Sequence, residues 1–442
     1  MNNAQQAYSG GRPVYVVDGN RTPFLKAQDK PGPFRASDLA VSAGKALLVR
    51  QPFAPQALDE VILGCVIPGP EEANIARVVA LRLGCGKQVP AWTVQRNCAS
   101  GMQAIDSAAM AIAFGRADLV LAGGTEAMSH APVLLPPRSV ELLGAWRQAR
   151  GNRERLRLLA RIRPAHFRLV FSLLQGLTDP IVNLSMGQTA EILAQRFAVS
   201  RQEMDAYAVE SHRRLAHAQD QGWFSEIDPL YAPDGMVYDH DNGVRRDSSM
   251  ERLAKLKPVF DRRVGLVTAG NSAQISDGAA LLILASGEAV HRHRLPVLGR
   301  IVDCAWAGVD PAQMGLGPAH AMAPLLLRQG LQTASIDFWE INEAFAAQVL
   351  ACLAAWRSDD YARTELGLGQ AFAGIDPQRL NVDGGAVAAG HPVGASGARI
   401  VLHMLQVLKR IGARRGMAAL CIGGGQGGAM LLERSGEAGH EE

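Results

Sequence analysis

An α/β fold is what this 442-residue sequence predicts, and three observations predict it. Apolar, β-branched runs alternate with segments of helical periodicity, as in parallel strands covered by helices on both faces. The alternation stops near residue 130 and resumes near residue 295. Two segments near the ends of these regions echo each other, which is the mark of an internal duplication.

The elements follow in order. Pro13–Asp18 reads as a buried strand, and so do Val61–Val66, Ala91–Gln95 and Leu119–Gly124. Helical patterns separate them over Ser37–Arg50, Asn74–Leu83 and Ser100–Phe114. Past residue 295, Val297–Val302, Ile336–Ile341 and Met417–Ile422 are strand-like. The echo is Leu121–Met128 against Cys421–Gly428, each an apolar strand running into a Gly-rich turn. The part between, 131–260, carries Pro-rich turns, a basic stretch and a helical pattern from Met186 to Gln221. It reads as an insertion lying over the first half, where lids and binding loops are common. The parts expected from this pattern are 1–130, an inserted 131–260, and a last part over 291–442.

Composition narrows the function classes. Hydrophobic residues make up 48% and charged residues 20%, which is a globular balance. Lys plus Arg exceed Asp plus Glu by 45 − 42 = 3, too few for nucleic acid to be the main partner. The six cysteines form no CxxC pair and fit reduced thiols in the cytoplasm. No secretory pattern opens Met1–Gly10, no apolar run reaches 18 residues, and Arg434–Glu442 reads as a polar tail. There is no HExxH or Cys₄ pattern, so no metal is expected.

Four segments can carry chemistry. Asn97-Cys98-Ala99-Ser100-Gly101 follows a strand and opens a helix, where N–H groups and the dipole favour the nucleophilic thiolate. Taken alone, Cys98 fits equally well as a small core residue. His391, in Gly390-His391-Pro392, ends a loop of small residues and can serve as a base, or simply as a structural His before a helix. Asn342-Glu343-Ala344-Phe345 leaves a strand with two polar groups, which also suits a helix cap. Cys421 ends a strand beside Gly423-Gly424-Gly425, where it can shuttle a proton while glycine N–H groups bind an oxyanion; a plain βα turn with a buried Cys reads the same way. Cys65, Cys85, Cys304 and Cys352 fit core positions.

Together and in this order, these motifs resemble the thiolase family over nearly the whole chain. Arg21-Thr22-Pro23-Phe24 and Gly265–Ser272 with Asp277-Gly278-Ala279-Ala280 complete the set. The resemblance implies a duplicated fold, two βαβαβαββ halves in five layers (αβαβα), with an inserted loop domain after which 261–290 returns to the 1–130 half. It implies that Cys98 carries the acyl group, that His391 takes the thiol proton, and that Cys421 exchanges a proton with the α-carbon or with CoA. One oxyanion hole would be His391 with a water on Asn342; the other would be the N–H groups of Cys98 and Gly423. Met186, Ala273 and Phe345 are the implied substrate-binding positions. Many thiolases have His-Met-Gly where this chain has Ser185-Met186-Gly187, and Ser where it has Ala273.

The implied reaction is thiolysis of 3-ketoacyl-CoA in fatty-acid β-oxidation. The alternative is condensation of two acetyl-CoA to acetoacetyl-CoA, which suits Asn342. Coenzyme A thioesters are substrates and no cofactor is bound permanently. A decarboxylating ketoacyl synthase shares the doubled fold, but has His where Asn342 stands and lacks the second Cys. A homodimer or homotetramer is expected, and a hydratase/dehydrogenase subunit is a candidate partner. Arg147 to Arg168 holds eight Arg and one Glu, interleaved with Leu156, Leu158, Leu159 and Ile162. Such a stretch can face a membrane surface, a partner subunit, CoA phosphates or only solvent. If it faces a membrane or a subunit, a lipid- or partner-binding role is the non-enzymatic alternative.

Overall fold

Ten strands build one mixed sheet in the computed structural model, which describes residues 11–28 and 30–435. The opening Met1–Gly10 and the tail past Ser435 lie outside the described residues. The strands are β1 Val14–Arg21, β2 Leu25–Lys26, β3 Glu60–Gly64, β4 Ala91–Val94, β5 Leu119–Ala127, β6 Ser276–Ser286, β7 Gly299–Gly308, β8 Phe338–Ile341, β9 Arg415–Ile422 and β10 Gln426–Arg434. Their spatial order is β8-β9-β10-β7-β1-β6-β5-β3-β4, with β2 on β6. The halves meet where β1 pairs with β7, Val14 opposite Ile301.

The expected parallel pairing holds for β3 with β4 and β5 and for β8 with β9. The remaining ladders are antiparallel. The reason is local: β9 and β10 form a hairpin through Gly423–Gly425, and β6 returns beside β5 after the long insertion. All eleven residues of β6 are buried, so it shows no alternation, and periodicity gave no signal for it.

The labelled helices are α1 Ala36–Val49, α2 Ile75–Arg82, α3 Ser100–Ala113, α4 Pro137–Gln148, α5 Asn152–Leu159, α6 Met186–Arg196, α7 Arg201–Asp220, α8 Gly317–Arg328, α9 Ala346–Trp356, α10 Ala386–Ala389 and α11 Val393–Ile411. One core joins α3 and α11 to the inner faces of both half-sheets, through Ile105, Ile112, Leu282, Leu402 and Leu420. A second packs α1 and α2 on the outer face of the first half, and a third packs α8 and α9 on the second. Five layers result.

The second half is shorter by one strand than the βαβαβαββ pattern. Its third strand shrinks to a single bridge between Trp339 and Leu380. The echo also needs correction. β5 and β9 are topological equivalents, but Gly123 and Gly124 lie inside β5 rather than in a turn. They are small because backbone crowds them: a Cβ on Gly124 would strike the Gly394 carbonyl, and one on Gly123 that of Ala280. The pattern from Met186 to Gln221 is two helices, broken at Ala198 with φ 52°.

Candidate active site

Two helix starts are pressed together, and this sets the site. Gly101 of α3 leaves room for Gly394 and Ala398 of α11, and Gly397 of α11 leaves room for Met102 of α3. A Cβ on Gly101 would lie 2.8 Å from Ala398 N, and one on Gly397 would lie 2.7 Å from Met102 N. Cys98 stands two residues before α3 and His391 two before α11. The crossing thus brings residues from both halves to one end of the central layer.

The Cys98 turn is held tightly. Asn97 takes a left-handed conformation (φ 44°), which Asn tolerates. Its Nδ2 donates to the Gly423 carbonyl at 2.7 Å, which ties the nucleophile segment to the β9–β10 turn. Ser100 Oγ accepts from Arg96 N–H (2.9 Å) and donates to the Asn97 carbonyl (2.7 Å). The Arg96 guanidinium stacks 4.2 Å from the centre of the Trp306 ring on β7.

The expected thiolate at a helix start is corrected here. Burial raises the Cys98 pKa, and the N–H groups of Gly423 and of Cys98 itself only partly offset this. Cys98 therefore rests as a thiol and needs a base. Those two N–H groups, which pull the thiol's pKa back down, are the pair expected to form an oxyanion hole. Cys421 is buried, and burial pushes its thiol well up, with the nearby Cys98 sulfur as second cause. The two thiols therefore lie near each other.

His391 is suited to be the base. Its Nδ1 lies 2.6 Å from Ser396 Oγ, which itself donates to the Pro392 carbonyl at 3.0 Å. The Ser hydroxyl has one proton, so Nδ1 carries the ring proton and Nε2 keeps its lone pair. Nε2 is buried without a protein partner. Burial, with Arg399 nearby, lowers the His391 pKa to about 4, so the ring is neutral near pH 7. Its backbone N–H donates to the Gln274 carbonyl at 3.0 Å.

Asn342 exits β8 against β9, its N–H bonded to the Ala419 carbonyl at 2.9 Å. Both its side-chain Oδ1 and Nδ2 are buried and unpartnered. Buried amides are normally satisfied. Together with His391 Nε2, the free amide is the polar equipment of a ligand site.

The three implied substrate-binding residues lie near the Gly423 turn and the strand exit at Asn342. Met186 opens α6 after Ser185, which caps the helix by accepting from Gln188 N–H. Its sulfur lies 3.2 Å from where a Gly423 Cβ would stand. Ala273 N–H donates to the Ala344 carbonyl at 3.0 Å, which puts it beside Phe345. Phe345 is buried and meets Phe260 edge to face at 5.9 Å. Met186, Phe260 and Phe345 gather round Cys421 in one apolar cluster. A cleft of about 730 Å³ next to it is lined by Gln188, Phe260, Arg262, Arg263 and Leu266.

Sequence reasoning missed Phe260, Asn97, Ser396 and Glu126. Asn97 had a signal, an Asn directly before the candidate nucleophile. Ser396 sits at i+5 from His391 and could be read only once the turn was known. Glu126, next to last in β5 and fully buried, accepts from the N–H groups of Val66 (2.8 Å), Ile67 (3.0 Å) and Gly394 (3.1 Å). Burial pushes its carboxyl up to about 7. It supplies the α11 start with an acceptor that the helix's own residues lack.

Among the described residues, no group of His, Cys, Asp and Glu could hold a metal ion, and no helix is long and apolar enough to cross a membrane.

Comparison with known proteins agrees with this geometry. The model of the thiolase N-terminal domain matches residues 14–288, and that of the C-terminal domain matches 295–434. A 3-ketoacyl-CoA thiolase of Yersinia pestis (strain Pestoides F) is 36% identical over 428 residues, covering 96% of this chain and 97% of that protein. The crystal structure of human mitochondrial 3-ketoacyl-CoA thiolase in complex with CoA superposes with a TM-score of 0.81 at 37% identity, over 96% of this chain and 98% of that one. An acetyl-CoA acetyltransferase of Bacillus anthracis gives 0.81 at 36% identity, over 96% and 99%. With both family models matched in order along the same doubled fold, this chain belongs to the thiolase family.

Proposed function

We propose that this thiolase cleaves 3-ketoacyl-CoA with free CoA to give acetyl-CoA and a shortened acyl-CoA, in fatty-acid β-oxidation. One observation carries the reading: His391 Nε2 and the Asn342 amide are both buried without a partner, and the thiols of Cys98 and Cys421 lie near each other. The relatives named 3-ketoacyl-CoA thiolase, and the human structure with CoA, support it.

The steps follow from the chemistry of these groups. His391 Nε2 takes the Cys98 proton as the sulfur attacks the keto carbon. The bond to the α-carbon breaks, and its electron pair becomes the enolate of acetyl-CoA. The protonated His391 and Asn342 stabilise the enolate oxygen. Cys421 gives its proton to the α-carbon, and acetyl-CoA leaves. The Cys421 thiolate then takes the proton of the incoming CoA thiol. That sulfur attacks the acyl group on Cys98, with the oxyanion facing the N–H groups of Cys98 and Gly423. Acyl-CoA leaves, and Cys98 recovers its proton from His391. Met186, Ala273, Phe345 and Phe260 pack on the acyl–pantetheine chain, and Arg262 and Arg263 face the CoA phosphates. No permanent cofactor takes part.

Acetoacetyl-CoA and a longer 3-ketoacyl-CoA, each mixed with CoA, test this by loss of the ketoacyl–magnesium absorbance. Cleavage of both, faster for the longer chain, is expected. Cleavage of acetoacetyl-CoA alone favours acetyl-CoA condensation as the role, and cleavage of neither sinks the reading.

The same proposal places a homodimer or homotetramer in the cytoplasm. The location rests on cysteine usage. Assembly is supported by the outer edge of β4, which carries the part-exposed Trp92.

A second reading concerns the inserted segment. No residue of α5 is buried, and Leu143, Leu156, Phe167 and Leu174 are all more than half exposed amid the arginines. We propose that this surface rests on anionic lipid. Wild type is expected to float with anionic vesicles and the triple variant Arg155→Glu, Arg157→Glu, Arg161→Glu to lose that flotation; equal flotation discards the idea.

A further inference from the structure

Glu343, next to Asn342, sits at a junction that the reaction scheme leaves unused. It is buried, and four donors converge on its carboxylate. Oε1 accepts from Tyr207 Oη–H at 3.0 Å and from Asn381 Nδ2–H at 2.9 Å. Oε2 accepts from Ser211 Oγ–H at 2.6 Å and from Val387 N–H at 3.1 Å. A carboxylate is the side chain able to accept on both oxygens at once.

The donors come from different parts of the chain. Tyr207 and Ser211 lie one turn apart on α7, in the insertion. Asn381 is welded to the end of β8, since it donates to the Ile341 carbonyl and accepts from Ile341 N–H, each at 2.9 Å. Val387 lies in α10, whose own residues supply no cap and whose last residue is one short of Gly390-His391. Gly385 makes the approach possible, because a Cβ there would collide with the Glu343 carboxylate.

Glu343 thus ties the exit of β8, which carries Asn342, to the loop that carries His391. It makes no bond to the other donor pair. Gly423 is fixed instead by Asn97 Nδ2, and Cys98 by its own turn.

We propose that Glu343 is a positioning residue for Asn342, the enolate-stabilising group that acyl transfer at Cys98 does not use, and that it acts on α-carbon chemistry far more than on acyl transfer. The proposal rests on the thiolase reading above.

Two partial reactions separate these functions. Exchange of the acetyl-CoA α-protons with D₂O needs His391, Asn342 and Cys421. Transfer of acetyl between acetyl-CoA and isotope-labelled CoA needs Cys98 and its N–H pair, with His391 and Cys421 moving the protons, but not the Asn342 amide. Glu343→Gln keeps the shape but sets an amide N–H₂ against donors on one side. Misplacement by a fraction of an ångström then slows α-proton exchange by about 10-fold to 100-fold. Acetyl transfer is expected to stay within about threefold of wild type, because it does not use the Asn342 amide, its oxyanion donors are held elsewhere, and His391 keeps its bonds to Gln274 and Ser396.

An equal fall in both rates, or no fall in either, overturns the proposal. Absence of both reactions in the wild-type enzyme sinks the thiolase reading instead. Should Glu343→Gln fail to fold, Tyr207→Phe removes one donor and carries the test alone. The same one-sided slowing, about threefold, is expected from one lost hydrogen bond. An equal effect on both rates, or none, again counts against it.

Discussion

A Cys98→Ser variant loses thiolysis by at least about 10³-fold while keeping its fold, as expected when the nucleophile of a cooperating unit is removed. The hydroxyl is a poorer nucleophile than sulfur and forms an ester in place of a thioester. The fold survives because the turn is held by Asn97, Ser100 and the Arg96–Trp306 stack rather than by the sulfur. Two measurements check it. The steady-state rate with a 3-ketoacyl-CoA gives the loss, and intact mass after acetyl-CoA shows an acetyl adduct on wild type alone. Full activity in the variant would remove Cys98 from the mechanism and return it to the core role its spacing equally allowed.

A His403→Leu variant is destabilised by about 3–5 kcal/mol, the usual effect of breaking a buried ion network by deleting one partner. His403 lies on α11 and is buried. Its Nδ1 is 2.9 Å from Glu226 Oε1 and its Nε2 is 3.2 Å from Asp383 Oδ2. Arg21 faces Glu226 and Asp241, Arg410 faces Asp383, and Arg399 pairs with Glu340. Burial alone would neutralise the ring, but Glu340, Glu226 and Asp383 raise its pKa to about 10. The network joins β1, the insertion and the second half.

Its pH dependence has a defined sign. A folded pKa above the free imidazole value gives stability that is full below about 6.5 and fades as pH rises toward 10. Asp383 is the opposite case. Against burial, His403 and Arg410 lower it to about 2, so its share is present above about 4 and lost as pH falls toward 2. Urea unfolding of both proteins is expected to show the widest gap between pH 4 and 6.5, narrowing on the alkaline side. A gap that widens with pH would contradict a charged His403.

Much of the site was legible before the fold. Cys98, His391, Asn342 and Cys421 stand in short motifs that each allow a structural reading alone, and the motifs' order names the family that implies their roles. Met186 and Phe345 were placed by the same resemblance, and both lie in the apolar cluster with Cys421. The strands Leu119–Ala127 and Arg415–Ile422 showed themselves as apolar runs. What misled was local reasoning about charge. A helix start predicted a thiolate, but enclosure by both halves raises the thiol's pKa, and nothing in Asn97-Cys98-Ala99 reports that enclosure. The glycines of β5 misled in the same way. They looked like a turn and are contact points for α11, a partner some 270 residues on.

The amino-acid order by itself determined which family the chain joins and which side chains are candidates for its chemistry, because both reside in short, contiguous patterns. Tertiary structure alone decided the protonation state of Cys98 and His391, the tautomer set by Ser396, and the roles open to Glu343, Glu126 and His403. Desolvation and long-range hydrogen bonds govern these, and both depend on neighbours that the chain supplies from hundreds of residues away.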